Sequence, residues 1–329
     1  MRMHIFRWLA VFVLVPFALA SRADEAAATV KKLQVTILST MVVDYIGENE
    51  GLGEWGFAAL IEADGRKILF DTGAHPDTVL HNAKALGLDL SGVTDVVLSH
   101  FHNDHTGGLL ALRRELRKAN PHAMERAHIG HEFFWLRRAD GRVWDQTIQL
   151  RKTYLEMGGV FVEHLHAEQL FPGIWVTGEI ARRTDEHNFS KGVEVQSPDG
   201  NWVEDDVRDE ISLVINTNQG PVVITGCGHA GIVNTLQAVS ENISKAPVDA
   251  VIGGLHLFTA SDEHVDWTAV QMRRFGVKHL IGAHCTGPEA LVRLRTGLGL
   301  NRSTAKHGAV GQRFTNDQGI DEASASLVR

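Results

Sequence analysis

The chain has 329 residues, with 32 lysines and arginines against 40 aspartates and glutamates, and a formal net charge of −8. Hydrophobic residues make up 44% and charged residues 22%, which excludes a disordered tail protein, a coiled coil and a collagen-like fibre. Two cysteines cannot form a disulfide scaffold, so the fold must depend on an apolar core. The acidic balance disfavours nucleic acid as the main partner. Histidine, the commonest metal ligand among side chains, occurs 18 times.

The amino terminus has the pattern of a secretory signal peptide. Arg2 and Arg7 form a basic start, residues 9–19 are apolar, and Ala18-Leu19-Ala20 is a small-x-small exit. The apolar run is short for a membrane span, although a retained anchor is the alternative. We therefore predict a signal peptide over residues 1–20 and an exported protein, periplasmic in a Gram-negative host. No stable membrane span is expected after cleavage.

The apolar and turn patterns predict one domain, because no Pro-, Ser- or Gly-rich linker divides the chain after the signal peptide. In the first half we expect a strand over 33–38, hairpin strands over 57–61 and 67–70, a helix over 77–86, a strand over 95–99 and a helix over 109–119. In the second half we expect hairpin strands over 211–216 and 221–225, a helix over 232–241, a strand over 250–252, a helix near 266–275 and a strand over 279–281. In each half, hairpin strands come first, and alternating helices and strands follow. This order predicts an α/β fold with two mixed sheets packed between helices.

Three other features of the sequence are an irregular middle segment, a polar carboxyl terminus and three basic pairs. Residues 120–205 are less regular and richer in Trp, Arg and His, so they form either an insertion that shapes a substrate site or surface decoration. Residues 316–329 are predicted to be a polar, disordered tail. Three basic pairs either bind an anionic substrate or form a solvated face, which is favoured: Arg113-Arg114, Arg117-Lys118 and Arg137-Arg138.

The strongest chemical pattern follows the strand over 95–99. Three histidines and an aspartate occupy six positions, at His100, His102, Asp104 and His105. Alternate residues of an extended loop point the same way, so His100 and His102 can bind one cation together. Asp104 and His105 then face a neighbouring position as the next helix begins. Imidazoles with one carboxylate suit zinc, iron or manganese, and the excess of imidazoles favours zinc.

These residues, followed by Gly107-Gly108, resemble the signature of the metallo-β-lactamase superfamily. Phe70-Asp71-Thr72-Gly73 resembles its first motif, in which a buried Asp supports the metal loop. Residues 225–234, 253–257 and 283–287 resemble one subgroup, the 7,8-dihydropterin-6-methyl-4-(β-D-ribofuranosyl)-aminobenzene-5′-phosphate synthase-like proteins. The resemblance covers residues 33–310 and implies that they form one αβ/βα sandwich domain with the metals at one edge, between the two sheets.

The resemblance also implies a set of ligands for two divalent metal ions, with zinc favoured over iron and manganese. His100 and His102 would bind the first metal, and Asp104 and His105 the second. His229 and His284 are expected to complete the sites. Cys227 could replace a bridging carboxylate, His256 could be a ligand or a substrate contact, and Cys285 is expected to be an inert thiol, although the two cysteines could instead pair after export.

Such a metal pair lowers the pKa of a shared water molecule to about 7 and generates hydroxide. We therefore expect hydrolysis of an ester, lactone, phosphodiester or amide in a small-molecule substrate. Asp104 would orient the attacking water, and Asp71 would fix a ligating imidazole through its other ring nitrogen. The alternatives are an iron-dependent oxidoreductase of the sulfur dioxygenase type and a non-enzymatic metal or ligand binder. The synthase activity is not expected to transfer, because it is cytoplasmic and this chain carries an export signal.

Overall fold

The computed structural model describes residues 28–321, apart from residues 44, 47, 48, 187 and 190. The predicted signal peptide over 1–20 lies outside the described residues, as do residues 322–329 of the predicted tail. No helix within the described part of the chain is long and apolar enough to cross a membrane.

The described residues form twenty-one strands and seven α-helices. The strands are β1 (Leu33–Ser39), β2 (Tyr45–Ile46), β3 (Asn49–Glu50), β4 (Ala58–Ala63), β5 (Arg66–Phe70), β6 (Asp95–Val97), β7 (Arg126–Gly130), β8 (Arg137–Ala139), β9 (Arg142–Trp144), β10 (Val160–His164), β11 (Glu168–Phe171), β12 (Ile174–Val176), β13 (Val193–Gln196), β14 (Trp202–Glu204), β15 (Leu213–Thr217), β16 (Gly220–Thr225), β17 (Ala250–Gly253), β18 (His279–Gly282), β19 (Ala305–His307), β20 (Arg313–Thr315) and β21 (Gly319–Ile320). The helices are α1 (Thr78–Ala85), α2 (Asn103–Thr106), α3 (Leu109–Leu116), α4 (Gln146–Glu156), α5 (Ile232–Asn242), α6 (Asp262–Arg274) and α7 (Pro288–Leu298).

Two large mixed sheets form the centre of the protein. The first has the strand order β10-β7-β6-β5-β4-β1-β20-β21, and the second has the order β11-β12-β15-β16-β17-β18-β19. One apolar cluster joins the inner faces of both sheets, and two others join their outer faces to helices. Strands buried on both faces explain the long apolar runs in β15 and β16. The predicted αβ/βα sandwich is confirmed.

The hairpins and helices lie close to their predicted positions, and local chemistry explains the differences. The β4–β5 turn is at Asp64-Gly65, both with positive φ, as a tight two-residue hairpin requires. Helix α6 begins at Asp262 rather than near 266, because Ser261 caps it by accepting a hydrogen bond from the His264 amide at 3.3 Å. Helix α7 is not among the predicted elements, although Pro288 at its start is a typical signal.

Residues 120–205 are more than an insertion. Strands β7 and β10 belong to the first large sheet, and β11 and β12 belong to the second. Within this segment only the four-stranded sheet of β14, β13, β8 and β9 stands apart from the two sheets, and α4 packs on the first sheet through Tyr154. The short strands β7 and β10 carry His and Arg among their apolar residues, which hides the alternation that predicts a strand.

The sheet also extends into the predicted tail. Strands β20 and β21 pair antiparallel, with Thr315 opposite Gly319. Asn316 lies where disorder was expected to begin, but its side-chain oxygen accepts a hydrogen bond from the Leu33 amide at 2.9 Å. Residues 316–321 are therefore structured, and polar composition conceals the two short strands.

The topology brings five loops to one edge of the sandwich. Strands β5 and β6 are parallel neighbours in the first sheet, and β16, β17 and β18 are parallel neighbours in the second. The carboxyl ends of parallel neighbours meet at the same edge. Asp71, His100, Cys227, His256 and His284 each follow one of these strands within a few residues. This arrangement collects residues from both halves of the chain.

A buried ion pair away from that edge gives a test of the fold. Asp95 is 1% exposed and accepts two hydrogen bonds from Arg126, both at 2.7 Å. Burial alone would raise the pKa of Asp95, but hydrogen bonds from His128, Arg126 and Thr94 hold it well below its usual range. A depressed carboxyl pKa stabilises the fold above the unfolded-state pKa, and this stabilisation disappears as the pH falls.

We expect Asp95→Asn to lower the free energy of unfolding by about 2–3 kcal/mol at pH 7, because Arg126 and His128 lose a charged partner. The deficit should shrink below about pH 4, where the wild-type carboxylate begins to protonate on unfolding. Urea denaturation of the metal-free proteins at pH 7 and below about pH 4 measures the difference in the free energy of unfolding. The exposed Asp317→Asn is the control. Equal stability of wild type and Asp95→Asn at pH 7 would contradict the prediction.

Candidate metal centre

The histidine-rich loop places its imidazoles against one another. His102 is extended, with φ −61° and ψ 144°, and α2 begins at the next residue. His100 Nε2 lies 2.9 Å from His102 Nδ1. His105 lies on α2, with its ring centroid 4.3 Å from that of His100. The extended segment followed by one helical turn thus brings all three rings together, as the spacing predicts.

Asp71 anchors this loop from the end of β5. It is fully buried and has φ 55°, a left-handed conformation that turns the chain sharply after the strand. Its carboxylate accepts hydrogen bonds from the Ser99 amide at 2.6 Å, the Ser99 hydroxyl at 2.7 Å and His105 Nδ1 at 2.7 Å. Since a carboxylate only accepts, His105 carries its proton on Nδ1 and keeps Nε2 available for a metal.

His229 is held in an equivalent way by the second half of the chain. Its Nδ1 donates to the carbonyl oxygen of Asn188, and its amide donates to Glu210 Oε1 at 2.8 Å. A Cβ at Gly228 would lie 3.0 Å from the Leu255 Cα, and Gly228 has φ 73°. Glycine therefore permits the tight turn that brings His229 to the centre.

His256 and His284 also follow strands in left-handed conformations, with φ 49° and 47°. His284 is fully buried, and its Nε2 lies 3.2 Å from Asp104 Oδ2. The His256 ring lies 4.5 Å from the His229 ring, centroid to centroid. Non-glycine residues rarely adopt this conformation, and it is frequent at functional sites.

The side chains form two clusters that share one thiol. In the carboxylate cluster, ligand atoms of four residues lie within 4.8 Å of one another: Asp104, His105, Cys227 and His284. In the imidazole cluster, the same holds for His100, Cys227 and His229. The ring centroid of His102 lies 4.6 Å from that of His100 and 4.9 Å from that of His229. All the residues predicted as ligands therefore lie together.

The two clusters differ in electrostatics. Burial and neighbouring imidazoles lower the pKa of His100 and His102 well below the usual value, and lower that of His229 to about 3. Burial also lowers the pKa of His284, but the Cys285 sulfur and the Asp104 carboxylate outweigh the effect of burial and raise this pKa to about 9. Lowered pKa values favour the neutral form of the first three rings, which is the form that binds metal, whereas the surroundings of His284 favour a positive charge.

The donor atoms fit a cation chemically. His229 Nε2 and His284 Nδ1 are buried and have no hydrogen-bond partner among the described residues. Buried polar atoms are normally paired, so orphaned nitrogens beside a thiol and a carboxylate indicate a missing partner that accepts lone pairs. Imidazole, thiolate and carboxylate donors together are typical of zinc and of other divalent transition metals.

The two cysteines are free thiols, with their Sγ atoms 3.3 Å apart. Cys227 belongs to both clusters and lies 3.3 Å from His105 Nε2, measured from Sγ. Cys285 shares a third group only with Cys227 and His256, and its thiol donates to the Cys227 carbonyl oxygen. Position alone therefore distinguishes Cys227 as the candidate shared ligand and Cys285 as its neighbour.

We expect Cys227→Ser to weaken zinc binding at least about tenfold, because a neutral hydroxyl replaces a shared thiolate. Cys285→Ser should stay within about threefold of wild type, because it removes only a neighbour of that thiolate. Competition with a chromophoric chelator measures both affinities. Equal losses in the two variants would contradict the assignment of Cys227.

Several residues that hold the candidate ligands in place are not predicted from the sequence. Glu210 binds the amides of His229 and Ala230, at 2.8 and 2.5 Å, and Asn188 accepts from His229. Their partners are far away along the chain, so no spacing predicts the contacts. Ser99 is the exception, since it stands directly before the motif and donates to Asp71 through both its amide and its hydroxyl.

A groove begins beside the imidazole cluster. It has a volume of about 590 Å³ and is lined by residues of the histidine loop, α3, β9 and α4: Phe101, His102, Asn103, Thr106, Gly107, Leu110, Trp144, Asp145, Gln146, Thr147, Gln149, Leu150 and Thr153. A second cavity of about 440 Å³ includes His256. Each cavity therefore includes one histidine that adjoins the His229 ring, His102 in the first and His256 in the second.

Comparison with known proteins identifies the class that this fold and centre define. The family model of the metallo-beta-lactamase superfamily matches residues 56–238. The chain belongs to the metallo-beta-lactamase superfamily, as its motifs predict. This fold is commonly enzymatic and implies binding of divalent metal, and the described His, Cys and Asp clusters are candidates for that role.

Individual relatives agree with this assignment. The chain is 32% identical over 264 residues to a 7,8-dihydropterin-6-methyl-4-(beta-D-ribofuranosyl)-aminobenzene-5′-phosphate synthase of Methanocaldococcus jannaschii, covering 76% of this chain and 87% of that protein. It is 28% identical to an uncharacterised protein of the same organism, covering 77% and 92%. The crystal structure of Tm1679, a metal-dependent hydrolase of the beta-lactamase superfamily, is similar with a TM-score of 0.68 and 27% identity, covering 89% of this chain and 100% of that chain.

Proposed function

We propose that this protein is an exported, zinc-dependent hydrolase with a dinuclear centre, acting on an ester, lactone, phosphodiester or amide bond of a small molecule. The observation that carries the proposal is the pair of ligand clusters that share Cys227. His100, His102 and His229 would hold one cation, and Asp104, His105 and His284 the other. A shared ligand keeps two cations close together, as in two-metal hydrolytic sites.

Two bound divalent cations would lower the pKa of a water molecule and polarise the bond to be cleaved. The residues of the chain keep the ligands in position and orient the reactants. Asp71 holds the His105 ring with Nε2 directed away from the carboxylate. Burial raises the pKa of Asp104, but His105 and His284 lower it to well below its usual range. Asp104 therefore stays ionised and orients the attacking water by accepting a hydrogen bond, rather than keeping its proton.

His256 is placed to contact the substrate. It lines the second cavity, and its Nδ1 is buried without a partner among the described residues. Its ring packs 5.3 Å from that of Phe258, centroid to centroid, which limits its rotation. An imidazole held at the edge of the centre can donate a hydrogen bond to the leaving group, and we assign this role to His256.

The relatives support hydrolysis unequally. Tm1679 is described as a metal-dependent hydrolase, and its structure covers most of this chain. The Methanocaldococcus relative is named as a synthase, and we do not extend that activity to a protein that we propose to be exported. The export proposal depends on residues 1–20. Mass spectrometry of the exported protein should find Ser21 as its first residue, whereas a retained Met1 would contradict cleavage.

Metal analysis combined with a substrate panel tests the function. Protein isolated without added metal should contain nearly two equivalents of zinc and should hydrolyse at least one ester, lactone, phosphodiester or amide. A chelator should remove this activity, and zinc should restore it. Iron near stoichiometry, with oxygen uptake, would instead establish an oxidoreductase. Full metal loading without turnover of any panel member would favour a binding protein.

A further inference from the structure

Apart from Asp145, the groove beside His102 has walls of uncharged side chains. Two aromatic rings and two leucines supply apolar surface: Phe101, Trp144, Leu110 and Leu150. Three amides and three hydroxyls supply hydrogen-bonding groups: Asn103, Gln146, Gln149, Thr106, Thr147 and Thr153. Binding sites with apolar walls and a few polar groups fix the orientation of ligands that are themselves largely uncharged.

The charged groups near this groove indicate which ligands it can hold. Asp145 is the only acidic residue that lines it, and no Lys or Arg is among its described lining residues. The guanidinium of Arg137 lies 3.6 Å from the centroid of the ring of Phe101, one of the lining residues. Arg137 is 2% exposed and pairs with Asp205 at 2.8 Å and Asp209 at 3.0 Å. Its charge is therefore neutralised within the protein.

None of the residues of the two other basic pairs is among the residues that line the groove. Arg113 is 1% exposed and donates to the carbonyl oxygens of Ala123, Met124 and Met157. Lys118 forms an exposed pair with Glu115 at 2.5 Å. The predicted solvated face is therefore wrong for Arg113 and Arg137, which are buried, and none of these basic residues lines the groove as an anion site would require.

We infer that the substrate arm lying in this groove is uncharged and amphipathic, an apolar stem with a group such as a carboxamide, rather than a phosphate or a carboxylate. The inference rests on the proposed function, because the reacting bond must lie at the metal centre for its arm to enter beside His102. An anionic arm would lose hydration without gaining a cation, and Asp145 would repel it. An amide can instead pair with the side chains of Gln146 and Gln149.

Hydroxamic acids give a test that does not require turnover, because the hydroxamate binds metal whether or not a substrate is cleaved. The probes are two monohydroxamates of suberic acid, identical except that one arm ends in a carboxamide and the other in a carboxylate. Acetohydroxamic acid, which has no arm, is the baseline. Calorimetry on zinc-loaded protein should show that the carboxamide probe binds at least about tenfold more tightly than the carboxylate probe, and more tightly than acetohydroxamic acid.

Three exposed substitutions locate the arm. Gln149→Lys adds a cation opposite Asp145 and should reduce the carboxamide preference at least about threefold. Gln149→Met adds no charge but removes one of the two amide partners, so it should reduce the preference less than Gln149→Lys does. Gln219→Lys adds the same charge at the β15–β16 turn, at the other end of β16 from Cys227, and should leave the preference unchanged.

Each outcome decides a separate claim. Equal affinity for the two arms, or tighter binding of the carboxylate arm, would overturn the inference. It would also be overturned by a preference that Gln149→Lys does not alter, since the arm would then lie elsewhere, or by affinities no better than that of acetohydroxamic acid. Selective binding of the carboxamide probe by a protein that hydrolyses nothing would refute the proposed function and leave the groove assignment intact.

Discussion

His102→Ala should reduce kcat/KM for the best panel substrate by roughly a thousandfold. His102 Nδ1 lies 2.9 Å from His100 Nε2, and its ring packs beside His229. Removing this imidazole leaves the first cation with two imidazoles and the shared thiol of Cys227. We therefore expect the variant to retain about one zinc per chain instead of two, with an almost unchanged circular dichroism spectrum.

The matched control is His122→Ala. The side chain of His122 is 70% exposed and pairs with Glu125, away from the described clusters. This variant should retain two metals and full activity. Because His102 also lines the groove, loss of activity with both metals retained would make it a substrate contact rather than a ligand. Full activity in His102→Ala would contradict both roles.

The sequence predicts the first half of the centre well because its geometry is local. His100 and His102 are two residues apart in an extended segment, and His105 follows within one helical turn. Strand and helix periodicities then decide which way each ring points. The contact of Asp71 with His105 is not local, and it was expected only because the Asp71 motif resembles that of a known superfamily.

The second half depends on how the two sheets face each other. Spacing along the chain leaves open whether Cys227, His229 and His256 are ligands, because they follow strands of a sheet different from that of His100. The described structure places Cys227 in both clusters, whereas the ligand atoms of His256 are grouped with those of the two cysteines and belong to neither cluster. Tertiary packing, and not local pattern, decides such distances.

The strands within residues 120–205 are likewise not predictable from the local sequence pattern. Strands β7 and β10 pair in parallel with each other, and β7 also pairs with β6. These strands complete the first sheet, but their His and Arg residues interrupt the apolar pattern. His128 and His164, for example, are buried and lie 2.9 Å apart between Nδ1 and Nε2. A polar residue that is satisfied by a distant partner looks like a surface residue in the sequence.

Asp71→Asn tests the anchor of the metal loop and should have the second large effect. The Asp71 carboxylate accepts from the Ser99 amide, the Ser99 hydroxyl and His105 Nδ1. An amide group has only one acceptor oxygen, so its NH₂ must face at least one of these donors. If the oxygen stays on the Ser99 amide, His105 must move its proton from Nδ1 to Nε2, the atom that faces Cys227 at 3.3 Å.

A protonated Nε2 cannot bind a metal, so we expect zinc affinity in the carboxylate cluster to fall about 10- to 100-fold and kcat/KM to fall by a similar factor. Burial raises the pKa of Asp71, which shows that its charge is costly in this position, so a neutral amide should change the free energy of unfolding much less than the metal affinity.

Chelator competition, kinetics and urea denaturation on the same preparations compare the three quantities, with Asp317→Asn as the control. Excess zinc should restore part of the lost activity, because the defect is in binding. Activity that stays low when both sites are full would show that Asp71 also orients a reacting group, and unchanged zinc affinity would contradict its role in holding His105.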